Sequence, residues 1–303
     1  MEIQWGNAIM TISSEIIKLK NNIENIYLKL QEKGATIPEV KNLYNILATI
    51  DTISTGGSVS FPQLRYNLDE NGNMILASGD LVFSGVKDVS SFALNGAFNS
   101  NKNITSVSFP DLVSVSGSYG METAFYSCSK ISSISFPNLT TISGSDGMNK
   151  AFYQCNLPSV EFPKLETVGR NGLYSAFEGN YSLTTAFFPN LVSADNYGLA
   201  YCFDMCQGLT SVSFPKLVKI GSDSLYFSFY NCTSLTSISF PSLGGSDPTT
   251  NIDTGAFGGS YAFMGCSALT EIHFPAASQS RIEACSGYSS KFGASNATIY
   301  FDL

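Results

Sequence analysis

Apolar and polar positions recur along this chain in one repeated phrase. In NCTSLTSISFPSL (231–243) the apolar side chains are Leu235, Ile238 and Phe240, with Ser237 and Ser239 between them. That alternation predicts a short strand with Ile238 on the buried face and the two serines outward. The proline after Phe240 ends the pairing. The phrase returns as SNKNITSVSFPDL (100–112), SCSKISSISFPNL (127–139), QCNLPSVEFPKL (154–165), GNYSLTTAFFPNL (179–191), MCQGLTSVSFPKL (205–217) and GCSALTEIHFPAA (265–277). The phenylalanines of the Phe-Pro pairs, Phe109, Phe136, Phe162, Phe188, Phe214, Phe240 and Phe274, stand 27, 26, 26, 26, 26 and 34 residues apart. Such a period predicts a solenoid, in which stacking buries the apolar face that one unit cannot bury alone. A second apolar pair follows, as at Leu139 and Ile142, then a Gly-containing turn. Next comes an Ala-Phe-Tyr segment (124–126, 151–153) whose Phe is expected to fill the core. Each coil is thus predicted to hold two short strands and a helical or 3-10 turn.

Residues 9–30 follow another period. Ile9, Ile12, Ile16, Leu19, Ile23, Ile26 and Leu30 are spaced 3, 4, 3, 4, 3, 4, a heptad seam. β-Branched side chains at both seam positions favour three strands over two. Glu15 and the following Lys20 are placed to pair between parallel chains, although an exposed pair contributes little. The alternative is an amphipathic helix packed on its own solenoid. Gly34 ends this helix, Pro38 suits the first turn of the next, and Val40, Leu43, Leu47 and Ile50 mark one face of that second helix. STGG (54–57) reads as a joint. The domains expected are a coiled-coil helix (1–36), a short helix and linker (37–56), an amino-terminal cap (57–100), repeats (101–275) and a carboxy-terminal cap (276–303). Within the first cap DENGN (69–73) reads as a tight turn, and NATIYFDL (296–303) as the closing strand.

Composition narrows the function. Only 13% of the 303 residues are charged and the net charge is −8, without a Lys/Arg stripe, which argues against a nucleic-acid partner. The start of the chain has no basic leader and no long apolar run, so neither a secretory signal nor membrane insertion is expected. Five of the seven cysteines, Cys128, Cys155, Cys206, Cys232 and Cys266, share one repeat position with Asn101 and Asn180. Cys exchanging with Asn suits a buried turn position that caps backbone groups, and reduced structural thiols are expected. Cys202 and Cys206 are four apart, but a chain with one histidine gives them little to form a zinc site with. No metal or cofactor is expected.

The pattern AFxxCxxLxxIxFP resembles the BspA-type leucine-rich repeat of bacterial and protozoal surface proteins, over about residues 92–275. The usual unit is shorter, so the GSYGMET-like stretch (117–123) stands as an insertion in nearly every copy. KGATIPEVKNLYNILATI (33–50) resembles a helical segment of tail-fibre and other virion proteins of phages infecting gut bacteria. The fold class expected is mainly β, a leucine-rich-repeat solenoid of about seven 26-residue units behind an N-terminal coiled coil.

Candidate binding residues fall in two groups. The outward strand positions are nearly all Ser or Thr, and the departures are Glu161, Phe187, Glu271 and His273. The plainer account is a solvated hydroxyl ladder with chance exceptions. Tyr119, Tyr126, Tyr153, Tyr174 and Tyr197 fall in the inserted stretches and Ala-Phe-Tyr turns, in the company that adaptable recognition surfaces use. They equally suit rings that cover the edges of a solenoid. His273 lacks a nucleophile motif, and Glu161 and Glu271 are four coils apart, about 20 Å at the usual strand spacing. No catalysis is expected. These features point to a homotrimeric phage adhesin, joined to other virion proteins by its N-terminus and binding a bacterial surface glycan or protein through its repeats. A bacterial cell-surface adhesin and a structural virion decoration protein are the alternatives.

Overall fold

Strand alternation and the Phe-Pro stop set a short strand in each coil, and stacking aligns it with its copy in the next. The computed structural model describes residues 66–68 and 74–303. The heptad seam from Ile9 to Leu30, the second helix and its joint, and the DENGN turn lie outside the described residues. In chain order the strands are β1 (Tyr66–Leu68), β2 (Met74–Leu76), β3 (Gly79–Val82), β4 (Ile104–Ser108), β5 (Ser114–Val115), β6 (Ser133–Ser135), β7 (Thr141–Ile142) and β8 (Ser159–Glu161). They continue as β9 (Thr167–Val168), β10 (Thr185–Phe187), β11 (Ser193–Ala194), β12 (Ser211–Ser213), β13 (Lys219–Ile220), β14 (Ser237–Ser239), β15 (Glu271–Phe274) and β16 (Thr298–Phe301).

β1 and β2 pair antiparallel. From β3 onward all pairing is parallel, in two columns. The repeated phrase forms the first, as β3-β4-β6, β8-β10-β12 and β14-β15-β16 in succession. The second apolar pair forms the other, a five-stranded sheet β5-β7-β9-β11-β13. The parallel stack thus begins at β3, inside the stretch expected to be a cap, and ends with β16 in register against β15.

Between the columns run two rows of buried phenylalanines. The Phe-Pro row stacks Phe109 on Phe136 at 5.3 Å, and Phe162 on both Phe136 and Phe188 at 5.4 Å. The Ala-Phe row stacks Phe98, Phe125 and Phe152 at 5.2 and 5.3 Å. The rows touch edge-on, as at Phe188 and Phe203, 6.1 Å apart and 70° inclined. Offset-stacked and edge-to-face pairs are the favoured ring geometries, so the coil spacing suits the side chain that repeats at it.

The shared Cys/Asn position does the capping that its composition predicts. Each of the five thiols lies against a phenylalanine carbonyl of the preceding coil, for example Cys155 Sγ to Phe125 O at 3.0 Å and Cys206 Sγ to Phe177 O at 3.2 Å. Asn180 donates from Nδ2 to Phe152 O at 2.9 Å and accepts the Leu157 N–H on Oδ1. All seven cysteines are unpaired and buried.

The third side of the coil differs from the helical or 3-10 turn expected. Alternate N–H groups point in two directions: Ala93, Asn95 and Ala97 donate to the carbonyl three residues back, while Leu94, Gly96 and Phe98 donate to the next coil. Three residues per coil, four apart, take left-handed backbone, as at Tyr119, Thr123 and Ser127 or Tyr197, Tyr201 and Met205. Such a conformation costs a non-glycine residue about 1–2 kcal/mol. It turns that residue's own N–H to the next coil, as from Tyr119 to Ser145 O at 2.9 Å, which offsets part of the cost. The stretch 117–123 is therefore no protruding loop. It is a further four-residue turn of the same staircase, hydrogen-bonded from coil to coil. The longer last interval holds α1 (Pro248–Asn251), and the end of the chain adds α2 (Gln279–Glu283).

Candidate recognition surface

The strand face carries the first group of predicted residues and divides them between two places. Glu161 and Phe187 are register partners on β8 and β10, both exposed. Glu271 and His273 share β15, beyond β12 and β14. His273 Nδ1 lies 2.9 Å from Asp302 Oδ1, its Nε2 3.5 Å from Glu271, and its ring stacks on Tyr300 at 4.9 Å. The Asp302 hydrogen bond and, less strongly, Glu271 raise the histidine's pKa above its ordinary value. Between these places the face is hydroxyl, with Asp80 at its start accepting from Thr105 and Ser106 at 2.8 and 2.6 Å.

The turn face gathers the tyrosines. Inter-coil hydrogen bonds align one row as Asn99, Tyr126, Tyr153, Glu178, Asp204 and Tyr230. A neighbouring left-handed row runs Thr123, Lys150, Ser175, Tyr201 and Phe227. Tyr126 stacks on Tyr153 at 4.5 Å. Tyr201 stacks on Phe227 at 5.2 Å and Phe227 on Tyr261 at 4.7 Å. Tyr174 leans on Tyr201, while Tyr119 pairs with Phe92 farther along the face. Tyr197 lines a shallow pocket of ≈ 330 Å³ with Asp146, Arg170 and Tyr174. Four of the five predicted tyrosines thus line adjoining hollows, and Tyr119 stands apart.

Sequence reasoning missed Tyr201, Phe227, Glu178 and Asp204. The signal was the residue after Ala-Phe: read in register it runs Tyr, Tyr, Glu, Asp, Tyr, and two neighbouring carboxylates stand out. Asp204 is 6% exposed, its Oδ1 has no hydrogen-bond partner among the described residues, and burial with the Glu178 charge pushes its pKa up to about 7. Burial also raises Glu178, against the opposing effects of Ser175 and Lys150. Among the described residues no three His, Cys, Asp or Glu side chains converge as a metal site, and no helix is long and apolar enough to cross a membrane.

A family model described as a BspA type leucine-rich repeat region matches six copies, over residues 92–226, 121–261 and 227–292. The chain belongs to this family. The BspA-type match spans the coils that carry the turn face and most of the strand face, short of β3 and β16. No protein of curated function matches the chain significantly. Among solved structures, a leucine-rich repeat protein from Eubacterium ventriosum is 22% identical, over 67% of this chain and 50% of that one, with a TM-score of 0.41. A leucine rich cell surface protein from Faecalibacterium prausnitzii is 12% identical over 81% of this chain and 96% of its own length, with a TM-score of 0.21. The BspA-type chain thus spans half the length of the Eubacterium protein.

Proposed function

We propose that this BspA-type protein is a non-catalytic, adhesin-like recognition protein. Its turn face engages a glycan or protein on a bacterial surface. The supporting observation is the band of half-exposed aromatic rings set on a backbone braced from coil to coil. Tyr and Trp faces give contact area at low entropic cost, and more so when neighbouring rings already hold them. Family membership supports display at a surface. The narrower form of the proposal, a trimer attached to a phage particle through its N-terminus, rests on the heptad seam of residues 9–30. Display on a bacterial cell is the alternative.

The test is saturable retention of labelled full-length protein on intact gut bacteria, with unlabelled protein as competitor. Retention that an excess of unlabelled protein removes is the expected result. A protein that no cell retains would fit a purely structural role instead. Mass spectrometry of purified phage particles and of bacterial envelopes then separates the two sites of display.

A further inference from the structure

Two stacks of rings on the turn face end at one cleft. The first is Tyr126 on Tyr153, with planes 1° apart, and the next member of that row is Glu178. The second starts at Tyr201 and continues through Phe227, and the member before Tyr201 is Ser175. Tyr153 and Tyr201 each end a stack, in the coils before and after the one that carries Ser175 and Glu178, and both rings line the same gap. Tyr174 closes the side, inclined 46° to Tyr201. The gap has a volume of ≈ 230 Å³ and is lined by both rings of the first stack, Tyr126 and Tyr153, with Lys150, Tyr174, Ser175, Glu178 and Tyr201. Its polar groups are one ammonium, one carboxylate and phenol hydroxyls, with the buried, unpartnered Oδ1 of Asp204 next in the row behind Glu178.

We propose that this cleft is a carbohydrate subsite that takes one pyranose unit against the rings of Tyr153 and Tyr201, its hydroxyls bonded to Glu178 and Lys150. The proposal rests on the recognition function above and narrows it to a ligand class and a place. A pyranose has an apolar C–H face and a rim of groups that both donate and accept, which matches ring walls beside an acceptor and a donor. A cationic ligand would meet the Lys150 ammonium. A flat aromatic ligand would desolvate Lys150 and Glu178 further and offer them no new hydrogen bonds in exchange.

The experiment uses the full chain on an array of bacterial and host oligosaccharides. Saturation-transfer NMR follows, with the methyl glycosides of glucose, galactose and N-acetylglucosamine at millimolar concentration. The expected result is glycan binding with transfer strongest at ring C–H protons. Tyr153→Ala and Tyr201→Ala should weaken it at least tenfold, Glu178→Gln several-fold, and Tyr119→Ala, outside the cleft, not at all. Tyr153→Phe keeps the ring and should keep the binding, so it serves where an alanine variant does not fold. Full affinity in Tyr153→Ala or Glu178→Gln overturns the site. A protein retained on cells but silent toward every glycan overturns the sugar class and leaves the recognition function standing. Silence on both overturns both.

Discussion

Asp204 sits in the turn face with Glu178 as its neighbour in the row and one carboxylate oxygen unpartnered, so burial and a like charge both oppose its ionisation. Its pKa in the fold is about 7, against 3.8 for an ordinary Asp. Between those values the folded state holds a proton that the unfolded state has released, and stability falls as pH rises through that window. Glu178, raised for the same reasons of burial, acts in the same direction. His273 adds to the slope above its ordinary value of 6.5, because its raised pKa gives stability that is lost as pH passes up through the folded value. Thermal melts should show a Tm several degrees higher at pH 5 than at pH 8, and Asp204→Asn should flatten most of the dependence. A variant with the parent's slope would remove Asp204 as its source. The thiols make a second residue-scale case. Burial raises Cys128 and Cys285 to about 11 and Cys266 to about 12, and Cys155, Cys202, Cys206 and Cys232 are raised as well. A disulfide-exchange reagent needs a thiolate, so at pH 8 it should label none of the seven in the native chain and all seven once it is denatured. Rapid labelling of one thiol in native protein would contradict the burial described for it.

Phe162 and Phe187 lie in adjacent coils and separate what packs from what is displayed. Phe162 is fully buried between Phe136 and Phe188, whereas Phe187 is 42% exposed on the strand face. Phe162→Ala should cost about 3–5 kcal/mol through the cavity it leaves. Phe187→Ala should stay within about 0.5 kcal/mol. Urea unfolding followed by circular dichroism measures both, and equal losses would contradict the assigned inward and outward rows. The same comparison explains what could be read in advance. Strand residues alternate with a period of two, so Ile238 and Phe240 announce their burial and Ser237 and Ser239 their exposure. The Cys/Asn position was legible because both side chains reach the same backbone group. The turn staircase was not. Its left-handed positions are held mostly by residues other than glycine, Tyr, Lys, Thr and Phe among them, since inter-coil hydrogen bonds impose a conformation the residue alone would not signal. That gap hid the cleft too: Tyr153, Glu178 and Tyr201 come from three coils and meet only once the staircase sets their rows in register.

At the scale of the molecule, each coil touches only its neighbours, so a solenoid can gain or lose an appended segment without disturbing its interior. This makes the N-terminal seam separable from the repeats in an experiment. Three heptads from Ile9 to Leu30 are short for a coiled coil, and association would have to draw on the isoleucines at both seam positions. A shallow cleft holding one sugar unit binds weakly. Three clefts on one trimer would convert the second and third contacts into intramolecular events and raise avidity by about 10²–10⁴ without a new contact. Light scattering of the full chain should therefore give three copies, and a chain beginning at Thr55 should give one that has lost helical circular dichroism and keeps the unfolding transition of the repeats. Retention on cells should fall by at least the lower end of that range in the shortened chain, while its affinity for a single methyl glycoside stays the same. A full chain that is already a single copy would place the seam against its own solenoid and favour display on a bacterial cell. A shortened chain that keeps both its three copies and its cell retention would move the assembly contact into the repeats, where the outer edge of β16, unpaired among the described residues, is the first surface to mutate.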